Sequence, residues 1–167
     1  KNFGNNGLTG KLYITSGLGG MSGAQSKAAM ITGAVGVIAE VDPDAVAQRI
    51  ADGYIMEENV YTDLTELRKS IVMHKINGSA IALIYHGNIV DLLEYLVEEK
   101  IHVELGSDQT SLHNIDDLGY CPAGFSFEEA KQLLTNDKAK FLEEVSKTLV
   151  RHVAAVNILS DRGIISW

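Results

Sequence analysis

The sequence predicts an α/β fold: a doubly wound, mainly parallel sheet with helices on both faces and a helical C-terminal extension. Three observations point there. Short apolar or β-branched runs alternate with stretches of helical periodicity. The clearest run, residues 80–85, is apolar at every position, as a strand buried on both faces must be. A glycine-rich turn follows the first run and opens a helix. Strands alternating with helices at this pitch make a parallel sheet with right-handed crossovers.

Taken in order, residues 1–10 are rich in Gly and Asn and read as a lead-in loop. Residues 11–16 form the first strand, stopped by glycines. Ala24, Ala28, Ile31 and Ala34 then fall at helical spacing, predicting a helix over 23–34. Residues 36–39 are a second strand ending at Glu40. Asp42-Pro43 is a helix start, an acidic N-cap with Pro where its missing N–H costs nothing, and that helix runs to about Gly53. Residues 54–61 read as a loop. A helix over 63–76 closes at Asn77-Gly78, a pair suited to a left-handed C-cap. After the strand at 80–85, Asn88 caps a helix with Ile89, Leu92, Leu93, Leu96 and Val97 on one stripe. Residues 102–105 are the last expected strand, followed by a polar loop over 106–124. Ser126 to Glu129 is a capping box. The final helix, 138–161, carries Phe141, Val145, Leu149, Val153 and Val156. The whole is expected to be one domain, 1–167, with 126–163 as its helical extension.

The chain has 167 residues, 46% hydrophobic and 22% charged, the balance of an ordinary globular domain. A chain of this length buries roughly two thirds of its unfolded surface, enough for a core without staples. With 22 acidic and 14 basic residues the net charge is −8 and no basic stripe exists, which argues against nucleic acid and anionic membranes as partners. The single cysteine, Cys121, forms no internal disulfide, the usage of a reducing compartment, so a cytoplasmic location is expected. No apolar run approaches the ~18 residues of a membrane helix. The start, Lys1-Asn2-Phe3, has neither an initiator Met nor a signal-peptide core and reads as a chain entered partway.

Ligands of open parallel sheets bind at the carboxyl ends of the strands, and three polar segments fall at such ends. The first is Gly17-Leu18-Gly19-Gly20-Met21-Ser22-Gly23, where glycines permit a tight turn and let backbone N–H groups approach a pyrophosphate. Counted from Gly17, Ser22 stands where the third glycine of the usual pattern would be. A ligand-free strand–helix turn has the same composition. The second is Glu40, placed to accept from a ribose 2′-hydroxyl and to repel a 2′-phosphate, favouring NAD over NADP. A solvated strand-end carboxylate is its alternative. The third is Asp108-Gln109-Thr110-Ser111-Leu112-His113-Asn114, with Tyr120 and Cys121 beyond. It is rich enough in hydrogen-bonding side chains for a polar ligand, and equally readable as a surface loop. Capping by itself accounts for Asn88.

Other constellations carry less. The five histidines show no metal-ligand spacing, so no metal site is expected. His152 lies on the apolar stripe of the last helix and reads as a packing residue. Asp108, Ser111 and His113 hold triad residue types, but so close on one loop they rarely converge. Cys121 has no assignable base, and no catalytic residue is named.

Together, Thr15 to Gln25, Gly87 to Asp91 and Gly106 to Asn114 resemble the urocanase family, extended by Phe125 to Ala130 and Arg151 to Ala155. The strings Gly-Gly-Met-x-Gly-Ala-Gln and Asp-Gln-Thr-Ser-x-His are the specific ones. The resemblance implies a Rossmann-like domain of a hydro-lyase in histidine degradation. There, NAD acts as an electrophile while water adds to urocanate, giving imidazolone propionate. It implies that Gly20, Met21 and Ser22 line the pyrophosphate, within the turn whose Gly17, Gly19 and Gly23 are the candidate cofactor-binding glycines, and that Glu40 holds a ribose. Asn88, Ile89, Gln109, Thr110, Ser111, Leu112, His113, Tyr120 and Cys121 would complete the surroundings of NAD.

Family members are longer and are expected to be homodimers. Their urocanate-binding residues and active-site cysteine lie in flanking segments, so this chain alone is expected not to turn over. An arginine of some members has no counterpart at Ala45, and residues 164–167 depart from the aromatic continuation expected. Two other readings remain open: a non-catalytic, self-associating folding module, and a generic NAD-dependent dehydrogenase domain.

Overall fold

The computed structural model describes residues 7–19, 23–108, 110 and 112–166. Among them, β1 (Leu12–Ser16), β2 (Val35–Glu40), β3 (Val60–Tyr61), β4 (Ile81–His86), β5 (Leu105–Gly106) and β6 (Ile165–Ser166) form one sheet in the order β3-β4-β2-β1-β5-β6. Every pairing is parallel. The helices are α1 (Gly23–Ile31), α2 (Pro43–Ala51), α3 (Leu64–Asn77), α4 (Ile89–Glu98), α5 (Phe127–Asn136) and α6 (Lys138–Asp161).

Alternation along each strand sorts the core into two faces. Leu12, Ile14, Val35, Val37, Leu83 and Tyr85 face Leu67 and Ile71 of α3, the apolar stripe of α4, and Ala155 and Leu159 of α6. On the other face Ile38, Ala82 and Ile84 meet Val46 of α2 and Met30 of α1, while Tyr13 meets Ala29. The sheet is therefore doubly wound, as expected. The strand order reverses between β1 and β5, because α4 carries the chain from β4 back across β2 and β1. The crevice outside the carboxyl ends of β1 and β5 is thus the topological switch point.

Local chemistry explains the helix ends. Asp42, Asp63, Asn88 and Ser126 each accept a backbone N–H of the first turn. Gly78 closes α3 in the left-handed conformation at φ 63°. A Cβ on Gly36 would sit 2.7 Å from that of Ala29, so a glycine is what lets α1 lie this close on β2.

Four expectations need correction. The first helix stops at Ile31, because Gly33 turns left-handed and Ala34 donates back to Ala29, closing the helix three residues early. Residues 60–61, expected in a loop, pair with β4 as an edge strand too short to show periodicity. The expected strand 102–105 shifts to Leu105–Gly106: the Leu12 N–H is taken at 2.8 Å by the Glu104 carboxylate instead of a ladder carbonyl. The divergent tail places Ile165 and Ser166 beside β5.

The helical extension does not stand apart. Arg151 on α6 forks onto Glu94 of α4 at 2.9 and 2.7 Å and reaches Asp91 at 3.0 Å. Ala155 and Leu159 enter the main core. Phe141 and Val145 close a second cluster with Tyr120, Cys121 and Ala130. No helix among the described residues is long and apolar enough to cross a membrane.

Candidate functional site

The glycine turn leaves β1 at Gly17, whose φ of 86° requires a residue without Cβ. Its N–H donates to Ala39 O at 2.8 Å, tying the turn to the end of β2. Glu40 completes that end. Its two carboxylate oxygens accept separately, from Leu18 N at 2.6 Å and Asp42 N at 2.9 Å. A carboxylate has about four lone-pair positions, so both oxygens keep acceptor capacity for a ligand hydroxyl. Leu18 buries its side chain against Ile38 and Val46, and its carbonyl accepts from Arg49 Nε at 2.9 Å. Arg49 stands one helical turn beyond Ala45 on α2. A guanidinium thus reaches the glycine turn although position 45 has none.

At the end of β4, Asn88 is buried and uses both ends of its amide. Its oxygen accepts from Val90 N at 2.9 Å, and its nitrogen donates to Cys121 O at 2.9 Å. The cap of α4 therefore also pins the 120–121 segment, a link between residues 33 positions apart. Ile89 is buried below it.

Cys121 itself is buried. Burial pushes its thiol up to about 12, with Glu40 and Asp91 acting in the same direction, so it stays protonated. Tyr120 is almost wholly buried, and desolvation raises its hydroxyl well above the ordinary phenol range. The hydroxyl lies 3.1 Å from His152 Nδ1. His152 is itself pushed below 6.5 by burial, partly opposed by Asp108, and is neutral at pH 7. The phenol donates to Nδ1 where the imidazole proton sits on Nε2, and accepts from Nδ1–H in the other tautomer.

Asp108 joins three elements at the end of β5. It accepts from the Ser16 hydroxyl at the end of β1, from Thr110 N at 3.0 Å and from Thr110 Oγ1 at 2.6 Å, and its Oδ2 lies 3.9 Å from His152 Nε2. Ser107 extends the network, 2.7 Å from the Tyr13 hydroxyl and 3.0 Å from Thr15 Oγ1.

Of the residues singled out in the sequence, Gly17, Gly19, Gly23, Glu40, Asn88, Ile89, Thr110, Leu112, Tyr120 and Cys121 belong to segments at the carboxyl side of the sheet. Direct contacts join Gly17 to the end of β2 and Asn88 to Cys121. Gly20, Met21, Ser22, Gln109 and Ser111 lie outside the described residues, as does the side chain of His113. Two groups were missed. His152, read as packing, faces Asp108 across 44 positions. Arg49 carried only the general bias of a cation in the last turn of a helix.

A wide recess of about 580 Å³ lies past the ends of β2 and β4, between Val41 to Asp44, Tyr85 to Asn88, Asp91 and Gly124 to Glu128. A smaller and more apolar one, about 230 Å³, lies beyond Asp108 and His152. The first opens at the ends of β2 and β4, the second at the ends of β1 and β5.

Comparison with known proteins adds the identity of the frame. The model of the urocanase Rossmann-like domain matches residues 1–167. A probable urocanate hydratase of Dictyostelium discoideum is 52% identical over 163 residues, covering 96% of this chain and 24% of that protein. The urocanate hydratase of Mus musculus is 46% identical over 167 residues, with the same coverage. A probable urocanate hydratase of Halobacterium salinarum is 37% identical over 164 residues, covering 98% and 27%. The chain thus spans about a quarter of the length of the curated relatives it matches.

Proposed function

The chain belongs to the urocanase family, as its Rossmann-like domain, and from that premise we propose that it is the NAD-holding part of a urocanate hydratase. The observation that carries this is the Glu40 carboxylate, fixed by Leu18 N and Asp42 N beside the glycine turn at the switch point of the sheet. Its spare lone pairs suit the two ribose hydroxyls of NAD. The same charge, set firmly in place, repels the 2′-phosphate of NADP.

The pyrophosphate would lie on the turn 17–23 at the start of α1, where backbone N–H groups carry partial positive charge. Arg49, held beside Leu18, supplies the nearby cation. Asn88 and Cys121 brace the rim, and the 108–113 segment borders the nicotinamide half. When bound, NAD supplies an electrophilic ring for the hydration of urocanate. This chain's own residues bind and orient it and name no proton donor for the reaction. Urocanate is met by parts of the enzyme outside this chain, so the domain alone binds without turnover. A reducing, cytoplasmic setting suits the buried, protonated thiol of Cys121, and a homodimer is the proposed assembly of the parent enzyme.

Calorimetric titration tests this. NAD is expected to bind more tightly than NADP, and Glu40→Ala to remove the preference. Equal affinities, unchanged in the variant, would refute the role given to Glu40. A second reading has one observation in its favour: Val150 and Val153 on α6 are 72% and 57% exposed, an apolar surface that can drive self-association. Light scattering that reports a monomer across a concentration series would remove it.

A further inference from the structure

The long helix α6 is apolar on two sides. Its inner face, Phe141, Val145, Thr148, His152, Ala155 and Leu159, is buried in the domain. Leu142, Ser146, Leu149, Val150, Val153 and Asn157 fall together on a second stripe, roughly a third of a turn away around the helix. Leu142, Val150 and Val153 are 38%, 72% and 57% exposed there. Between Leu142 and Ser160 the charged residues Glu143, Glu144, Lys147 and Arg151 all lie on the remaining side. Arg151 fixes that side against α4 through Glu94 and Asp91, so the stripe looks away from α4.

Solvent alone does not account for such a face. Exposed helix positions favour Lys, Glu, Gln or Ala, and a β-branched Val there loses both helix propensity and hydration. The open side of α5 shows the ordinary pattern, with Glu128, Lys131, Gln132 and Thr135 exposed. On α3, Val72, Met73 and Ile76 are exposed, but Arg68 and Lys69 stand among them. The α6 stripe is free of charge and rimmed by Glu143 and Lys147, the composition of an interface core with a polar rim.

We propose that this stripe is where the domain docks on the flanking part of its own polypeptide in the full-length enzyme, which lays an uncharged, apolar segment along α6. This rests on the reading that the chain is one part of a longer urocanate hydratase, and is independent of where NAD lies. Two magnitudes select that occupant over a second copy. The chain covers only 24–27% of its relatives, so most of such a protein lies outside it. From Leu142 to Asn157, at 1.5 Å per residue and about 10 Å width, the stripe offers roughly 250 Å². A stable interface between separate molecules takes about 800 Å² from each partner. A patch this small does not hold two free chains together, whereas a covalently joined segment meets it at high effective concentration.

The test is thiol labelling of Val150→Cys and Val153→Cys, in this chain alone and in the full-length enzyme that contains it. Cys121, buried and protonated, gives no background. In the chain alone both thiols are expected to react as exposed cysteines do, at every protein concentration. In the full-length enzyme labelling should slow about tenfold or more, as for a site reached only by local opening. A benzophenone cross-linker attached at Ser146→Cys should then join a peptide outside this domain and give a product of single-chain mass. Val153→Asp should lower the melting temperature of the full-length enzyme and leave that of the chain alone unchanged; if it prevents the enzyme from folding, the labelling rates decide. Equal labelling rates in the two forms would overturn the proposal. A cross-linked product of doubled mass, or protection in the chain alone that grows with concentration, would overturn it too, since a second copy would then be the occupant. None of these readouts needs NAD, so their failure leaves the NAD assignment standing, and a failed NAD titration leaves the docking face standing.

Discussion

The two ends of the strand-end crevice are built differently. At the β2 end, the Gly17 turn, Glu40 and Asp42 lie within 26 positions of one another, and backbone donors hold the one important side chain. At the β5 end, Ser16, Asp108, Tyr120 and His152 come from four separate segments, and side chains hold side chains. The first arrangement is a property of a strand–turn–helix unit and survives wherever that unit folds. The second exists only once α6 has packed on α4 and on the 120–124 segment. One end is thus preformed locally, and the other depends on tertiary assembly.

That difference can be broken from the α6 side. Phe141 is fully buried and anchors α6 to Tyr120, Cys121 and Ala130. Phe141→Ala is expected to cost about 3–5 kcal/mol, measured by denaturant unfolding. It should loosen the Tyr120–His152 contact before it disturbs the Gly17 turn. Amide exchange that rises equally at both ends would contradict the distinction.

Glu40→Ala attacks the other end. It leaves the N–H groups of Leu18 and Asp42 without their acceptor, at a cost of about 1–3 kcal/mol, while Glu40→Gln, which keeps an acceptor, should cost less. Thermal unfolding of the pair shows how much of the loss one retained acceptor oxygen recovers. Tyr120→Phe comes next, expected to cost about 1 kcal/mol because the buried Nδ1 of His152 loses its hydrogen-bond partner. Its clearest trace should be in the tautomer, read from the imidazole nitrogen shifts of His152.

The smallest effect is one of pH. The His152 imidazole is held below its unfolded value of 6.5 by burial. The unfolded chain therefore takes up this proton first on acidification. The stability involved is fully present above pH 6.5 and is lost as pH falls through the lowered folded value. Melting temperature should drop on acidification below 6.5, and His152→Gln should flatten that part of the curve. An unchanged slope would mean that His152 titrates normally.

The same contrast explains what the sequence made legible. Helix starts at Asp42-Pro43, Asn88 and Ser126 were readable because a cap is a local event between residues two or three apart. The buried strand at 81–86 was readable because a parallel interior demands apolar residues on both faces. The 60–61 and 165–166 strands were not, since two residues carry no period and their pairing is decided by neighbours far away. Glu40 stood out by its place after a strand and a glycine turn. His152 did not: on an apolar helical stripe a histidine looks like packing, and nothing in its own neighbourhood announces Asp108. Arg49 was hidden likewise, because its target is a backbone carbonyl 31 positions earlier.

The central claim is that this domain holds NAD along the carboxyl ends of its strands, and amide chemical-shift mapping during an NAD titration tests it most directly. The largest shifts are expected at Leu18, Gly19, Asp42, Thr110 and Tyr120, at both ends of the crevice, with α3 and the exposed face of α5 unmoved. No shifts at saturating NAD, or shifts confined to surfaces away from the strand ends, would contradict it.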